Sequence, residues 1–365
     1  MKFLFIVQGE GRGHMTQAIT LSRLLKKNGH TVSKVLIGKS KRRVIPDFFY
    51  KKINAPVSTY ESPNFIVDRE QKGIRLIRTL LYNFFKLRKY IASIKSIHNE
   101  VKKHQPDIIV NFYEILGGLY YMFYNPQLPH ICIAHQFLCL HPDFKFPEGK
   151  SLDKFLLTVH SRIVSCIAEK RLALSFRRMD DFPQKKVYIV PPLLREDIME
   201  LHPENHNYIL AYILNDGYRT EIIDWHNNHR YVRVHFFSDG SNTEDQQTIH
   251  ENLIWHKIND MKFVEMMQNC SAFASTAGFE SICEAMYFGK PVLMVPSKNH
   301  FEQECNALDA LNSGAGIISS KFDLTKLIDC MHTWNDRAKS FRAWADSAEN
   351  LIIDHLKLDH DRDTE

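Results

Sequence analysis

The sequence predicts an α/β protein of two domains, each built on a parallel sheet. Three observations carry this expectation. Strand-like apolar runs alternate with segments of helical periodicity along most of the chain, the pattern of repeated βαβ units. The alternation halts at Pro191-Pro192 and starts afresh at Tyr208. A length of 365 residues also exceeds what a single hydrophobic core ordinarily serves.

In order, Lys2 to Val7 reads as a strand, Met15 to Asn28 as a helix and His30 to Ile37 as a second strand. Residues 69–103 are mostly helical by the spacing of their apolar residues. Gln105-Pro106 breaks the helix before a strand over Asp107 to Asn111. A helix over Glu114 to Tyr124, a strand over His130 to Ala134, a helix over 151–176 and a strand over Lys186 to Val190 complete the first half. The Pro pair and His202-Pro203-Glu204-Asn205 form the connection. Beyond it come strands over Tyr208 to Leu214, His229 to Phe237 and Leu253 to His256, a helix over Asp260 to Asn269, and a strand over Ala272 to Ser275. Gly278 opens a helix that Gly289-Lys290-Pro291 stops, and Val292 to Val295 follows as a strand. Thr333 to His355 is helical. The expected units are 1–195, 206–340 and a closing helix and tail over 341–365.

Bulk composition narrows the class. Hydrophobic content of 44% and charged content of 24% suit a globular protein. No apolar run approaches the roughly 18 residues of a membrane-spanning helix, and Phe3 to Val7 is too short for a signal segment. The seven cysteines are scattered with no C-x-x-C pair, so reduced thiols in the cytoplasm are expected. The net charge of +5 is uneven: residues 69–103 hold ten Lys or Arg against Glu70 and Glu100. Ile74, Ile77, Leu80, Leu81, Phe84, Phe85 and Leu87 interleave with these cations. Such a basic amphipathic stretch suits an anionic membrane surface as well as an ordinary solvated helix face. Its aromatics fall on the apolar stripe, which argues against nucleic acid as a partner.

The chemistry concentrates in two places. Near the start, Gly9-Glu10-Gly11-Arg12-Gly13-His14 joins a strand to a helix. Three glycines suggest close approach by a ligand. The spacing is not that of a dinucleotide fingerprint, and no acidic residue follows the second strand. Gly38-Lys39-Ser40 resembles a P-loop end, but Ser33 stands where that motif needs glycine. Near the other end, Ser275, Thr276, Ala277 and Gly278 precede a helix whose N-terminus is a ready phosphate site. Glu284 lies six residues beyond Gly278, where a carboxylate can accept hydrogen bonds from a ribose diol. Glu302-Gln303 follows where a sugar would lie.

This stretch resembles the donor-binding region of GT-B glycosyltransferases, closest to the MurG-like group and the related macrolide and plant-type enzymes. The Gly-rich loop ending in Gly13-His14 is similar to the MurG-like loop at that point. The resemblance implies two Rossmann-like domains facing across a cleft, acceptor-side first and nucleotide-sugar side second, with the last helix crossing back. It implies a nucleotide-sugar donor, UDP-linked by preference, and includes enzymes with lipid-linked acceptors from cell-envelope synthesis. It assigns the diphosphate to Ser275, Thr276, Ala277 and Gly278 and the ribose to Glu284. It also brings Asn215, Gly217 and Arg219 toward the diphosphate, since Asp216 would repel it. The Ile258 backbone takes the uracil edge. Thr276 stands where relatives often carry Arg or His.

Three residues compete as catalytic base. His14 sits in the first helical turn, whose dipole favours a neutral ring suited to accepting a proton. Glu114 and His135 follow strands, at the ends where α/β sites collect. Retaining GT-B enzymes usually carry two glutamates eight apart; eight before Glu284 is Thr276, so inversion by direct displacement is expected. That displacement requires neither metal nor cofactor, and D-x-D occurs only in the tail at Asp359, Asp361 and Asp363. A nucleotide-sugar epimerase on the same fold and a non-catalytic nucleotide-sugar-binding protein are the alternatives.

Overall fold

The computed structural model describes residues 1–40, 44–63, 76–213, 216–238, 244–334 and 338–357. The first sheet comprises β1 (Lys2–Gln8), β2 (Thr31–Lys39), β3 (Val57–Glu61), β4 (Ile108–Phe112), β5 (His130–Ala134), β6 (Lys170–Leu174) and β7 (Val187–Val190). They lie in the order β3-β2-β1-β4-β5-β6-β7, and every pairing is parallel. Phe3 to Val7 are fully buried, as a strand covered on both faces requires.

The second sheet comprises β8 (Ile209–Tyr212), β9 (Val234–Ser238), β10 (Gln246–His250), β11 (Leu253–Lys257), β12 (Ala272–Ser275), β13 (Val292–Met294) and β14 (Gly316–Ile318). Its order is β10-β11-β9-β8-β12-β13-β14, parallel except for the edge strand β10, which runs antiparallel to β11. In each sheet the strand order reverses once, between β1 and β4 and between β8 and β12. Ligands of open α/β sheets bind beyond the strand ends at such points. The Gly-rich loop and the Ser275–Gly278 segment leave the sheets there.

Several elements differ from expectation. The helix over 151–176 is Ser151–Val164, and the remainder turns back into β6. The turn carries Ile167 at φ +56, without the glycine or proline that would announce it. β3, β10 and β14 were not expected; all are short, and none is fully buried. The strand expected from His229 begins only at Val234, as β9. The closing segment is two helices, Ala338–Ala345 and Ala348–Leu356. Trp344 Nε1 donates to the Ser175 carbonyl at 2.9 Å, and Lys27 pairs with Glu349 at 2.6 Å. These contacts bring both helices against the first domain.

The stretch 69–103 falls partly outside the described residues, Ile74 included. Its described part forms helices Leu76–Phe84 and Leu87–His104. Asn215 and the tail from residue 358 also lie outside. All seven cysteines are free, and five are buried.

Candidate active site

On the second domain, β12 delivers Ser275 and Thr276 into a buried turn. Ala277 follows at φ +57, a left-handed conformation that costs a non-glycine residue roughly 1–2 kcal/mol. The strain turns the chain so that Gly278 caps the helix Phe279–Tyr287. Asn306 Nδ2 donates to the Ala277 carbonyl at 3.2 Å and fixes the turn. Ser275 Oγ is buried with no hydrogen-bond partner among the described residues, and so is Ser297 Oγ beyond the neighbouring strand β13. Two unsatisfied hydroxyls at adjacent strand ends are what a polar ligand would complete. Gln303 is spent locally: its Oε1 accepts from the Ser297 amide at 2.7 Å. Arg219 donates to Gln247 at 3.0 Å and lies over the Trp255 ring. Gly217 sits in the short turn Asp216–Tyr218, and Ile258 is packed against the main core.

On the first domain the three glycines divide their roles. A Cβ on Gly9 would meet the Gly38 carbonyl at 2.8 Å, and one on Gly13 would meet Glu280 Cγ of the second domain at 3.1 Å. Gly11, which precedes the helix Arg12–Lys27, has open space around it. Close packing therefore accounts for two of the three glycines. Arg12 opens that helix. His14 is buried, its Nδ1 lies 3.2 Å from Gln17 Oε1, and its ring stacks on Tyr113. Burial lowers its pKa, which keeps the ring neutral, while Glu302 from the opposite domain works to raise it. Burial thus favours the neutral ring that was expected at this position.

Tyr113 and His160 complete this cluster, and neither was singled out from the sequence. Tyr113 holds φ +56 at the end of β4, its hydroxyl lies 2.7 Å from Ser161 Oγ, and its ring meets His160. Strained backbone of this kind recurs at functional sites. The Glu302 carboxylate acts on His14, Tyr113, His135 and His160 alike.

The other two candidate bases are placed differently. Glu114 caps the helix Ile115–Tyr124, accepts from Ser62 Oγ at 2.6 Å and presses against Gly38. These contacts all lie within the first domain. Burial pushes its carboxyl up to about 7. His135 is a wedge between domains: Nδ1 lies 2.8 Å from the Leu174 carbonyl, and its ring stacks on Phe279 at 4.2 Å. Its Nε2 is 3.9 Å from Asp309.

The facing surfaces touch. Gln136 donates to Glu302 at 2.9 Å, Gln17 to Glu280 at 2.5 Å, and Arg177 pairs with Asp309 at 2.7 Å. Glu284 is buried and receives Arg195 Nε at 2.8 Å and Nη2 at 2.7 Å. Arg195 also pairs with Asp260, which Lys52 reaches at 2.7 Å. Burial raises the Glu284 carboxyl, and Arg195 pulls it back. Burial opposes the Arg195 charge, but Glu284 and then Asp260 more than offset it. The expected ribose carboxylate is thus held by an ion pair.

A family model described as glycosyl transferase family 1 matches residues 1–333. The chain belongs to that family. The transferase is of the GT-B type. It is similar in structure to the glycosyltransferase of kitacinnamycin, at TM-score 0.64 and 14% identity, with 96% of this chain and 97% of that one covered. The spinosyn rhamnosyltransferase SpnG complexed with thymidine diphosphate gives TM-score 0.62 and 13% identity over 98% and 100%. Phytolacca americana UGT2, complexed with UDP-2-fluoro-glucose and pterostilbene, gives 0.60 and 13% over 95% and 94%. No curated protein matches by sequence.

In the transferase, Glu280 stands one residue into the helix beside the strained turn. Its Oε2 is buried without a partner among the described residues, and burial pushes the carboxyl up to about 8. A carboxyl whose folded value is raised stabilises the fold below its ordinary 4.5 and loses that contribution as pH climbs toward 8. Glu280→Gln is therefore expected to lessen the fall in stability between about pH 5 and pH 8.5. Urea midpoints at both values measure it; parallel wild-type and variant curves would contradict the burial argument.

Proposed function

We propose that the transferase moves a hexosyl or N-acetylhexosaminyl unit from a UDP-linked donor to an acceptor hydroxyl, with inversion. The observation that carries this is the pair of buried, unsatisfied hydroxyls, Ser275 Oγ and Ser297 Oγ, beside the N-terminus of Phe279–Tyr287. Hydroxyls, backbone amides and a helix dipole suit a diphosphate. Ser275, Thr276, Ala277 and Gly278 hold it; Gly217 and Arg219 follow β8, and Asn215, assigned to the same group, lies outside the described residues. The Ile258 backbone meets the base, and Glu302 and Gln303 flank the sugar. Glu284 takes the ribose once Arg195 has been displaced, so donor binding opens the ion pair.

His14 is the base we favour, because it lies in the first turn of the helix after the Gly-rich loop, whereas Glu114 is bonded within the first domain and His135 is held by the Leu174 carbonyl and the Phe279 ring. The acceptor hydroxyl passes its proton to His14, and its oxygen bonds to the anomeric carbon. The bond from that carbon to the diphosphate breaks, and the electron pair leaves with the nucleotide. The helix tip stabilises the departing charge. Hydrolysis and transfer assays over UDP-, dTDP- and GDP-sugars test the donor; turnover of none would end this reading.

The MurG-like loop at Gly13-His14 favours a lipid-linked acceptor met at an anionic membrane. Phe84, Phe85, Leu87 and Ile91 are exposed beside Arg88 and Lys95, a combination suited to an interface. Among the described residues no helix is long and apolar enough to cross a membrane. Arg88→Glu with Lys95→Glu should lower co-flotation with vesicles containing phosphatidylglycerol by roughly tenfold or more, at about 1 kcal/mol per basic residue. Unchanged flotation would remove this surface from the account.

A further inference from the structure

A second region of unbalanced charge lies outside the cleft. The first domain carries an open pocket of about 450 Å³ between the C-terminal part of Ser151–Val164 and the turn joining β6 to β7. Four cations line it, Arg162, Arg171, Lys185 and Lys186, and none of its lining residues is acidic. Arg171 is the informative one. Its Nε donates to Ser165 Oγ at 2.7 Å, Nη1 to the Lys185 carbonyl at 2.8 Å and Nη2 to the Ser165 carbonyl at 2.9 Å. All three partners are neutral, and among the described residues none of the four cations has a carboxylate partner. Burial also lowers the Arg171 pKa. A partly buried guanidinium fixed by neutral oxygens, with three more cations beside it, lacks a counter-charge.

Cys139, Leu140, Ile167 and Ala168 give the lining an apolar part beside the polar Thr158 and Gln184, and two exposed apolar side chains lie on or near it. Ile167, on its lining, is 55% exposed and held at φ +56. For a β-branched residue this is a rare conformation. Phe155 is 62% exposed and lies three and seven residues before Thr158 and Arg162, on the pocket's side of the helix. The back wall leads to the cleft, because Cys139 Sγ donates to Ser161 Oγ at 3.3 Å and Ser161 holds Tyr113.

We propose that this pocket binds a phosphate-bearing group, with its apolar border accommodating the less polar part of the same molecule. The proposal stands independently of the donor assignment. The phosphate has two possible sources, an anionic lipid headgroup or a soluble phosphate compound. Calorimetric titrations with dihexanoyl phosphatidic acid, dihexanoyl phosphatidylcholine and inorganic pyrophosphate separate them. The double variant Arg162→Ala, Lys185→Ala changes two exposed side chains and should leave thermal unfolding unaltered. It is expected to weaken phosphate binding roughly 10- to 30-fold, with UDP binding as in the wild type. Loss confined to phosphatidic acid assigns the lipid source, and loss confined to pyrophosphate the soluble one. Variant binding equal to wild type for both, or phosphatidylcholine binding as tightly as phosphatidic acid, would overturn the proposal.

Discussion

His14→Ala is expected to lower the rate of sugar transfer by roughly 10²- to 10⁴-fold, the usual contribution of a general base, with UDP affinity nearly unchanged. His14 lies in the first turn after the Gly-rich loop, is kept neutral by burial, and feels the Glu302 carboxylate from the other domain. Its ring also packs on Tyr113, so His14→Asn serves as a second variant that preserves more of the volume. Single-turnover rates at saturating donor and a thermal melt separate chemistry from packing. Full activity in a folded His14→Asn protein would return the role of base to Glu114 or His135.

Glu284→Ala should have the second large effect, and it should appear twice. Removing one member of a buried ion pair costs roughly 3–5 kcal/mol when the partner is stranded. Arg195 keeps Asp260, so the expected loss is at the lower end, about 3 kcal/mol. UDP affinity should also weaken by about 2 kcal/mol, the scale of a hydrogen bond to a charged group. Denaturant titration reads the first effect and calorimetry the second. Loss of stability with unchanged UDP affinity would make Glu284 a structural anchor between domains and nothing more.

Much of the architecture was legible because its physical causes are local. β1, β4 and β5 are mainly apolar and buried along nearly their whole length. The glycine before Phe279 and the Gly289-Lys290-Pro291 stop mark one helix at both ends. β3, β10 and β14 escape a sequence reading because short strands with half-exposed residues lack periodic contrast. β6 is hidden by the helical spacing that runs into it from Ser151–Val164. Tyr113 escapes because a left-handed residue after a strand need not be glycine. Ala277 illustrates the same point within the motif itself: its strain is visible only in the backbone. Arg195 escapes for a different reason. Its partner Glu284 is 89 residues away on the facing domain, and no spacing rule reaches across two folded units. Gly9 and Gly13 were legible as sites of close approach, but the approaching groups include β2 and Glu280 as well as any ligand.

In the proposed donor complex, ribose replaces Arg195 on Glu284 while the diphosphate settles against Ser275 and the helix tip. A crystal structure with UDP bound tests it most directly. The expected result is the ribose hydroxyls on the Glu284 carboxylate, the Arg195 pair opened, and a phosphate oxygen within hydrogen-bond distance of Ser275 Oγ. UDP bound elsewhere, with the Arg195–Glu284 pair intact and Ser275 still unsatisfied, would contradict it.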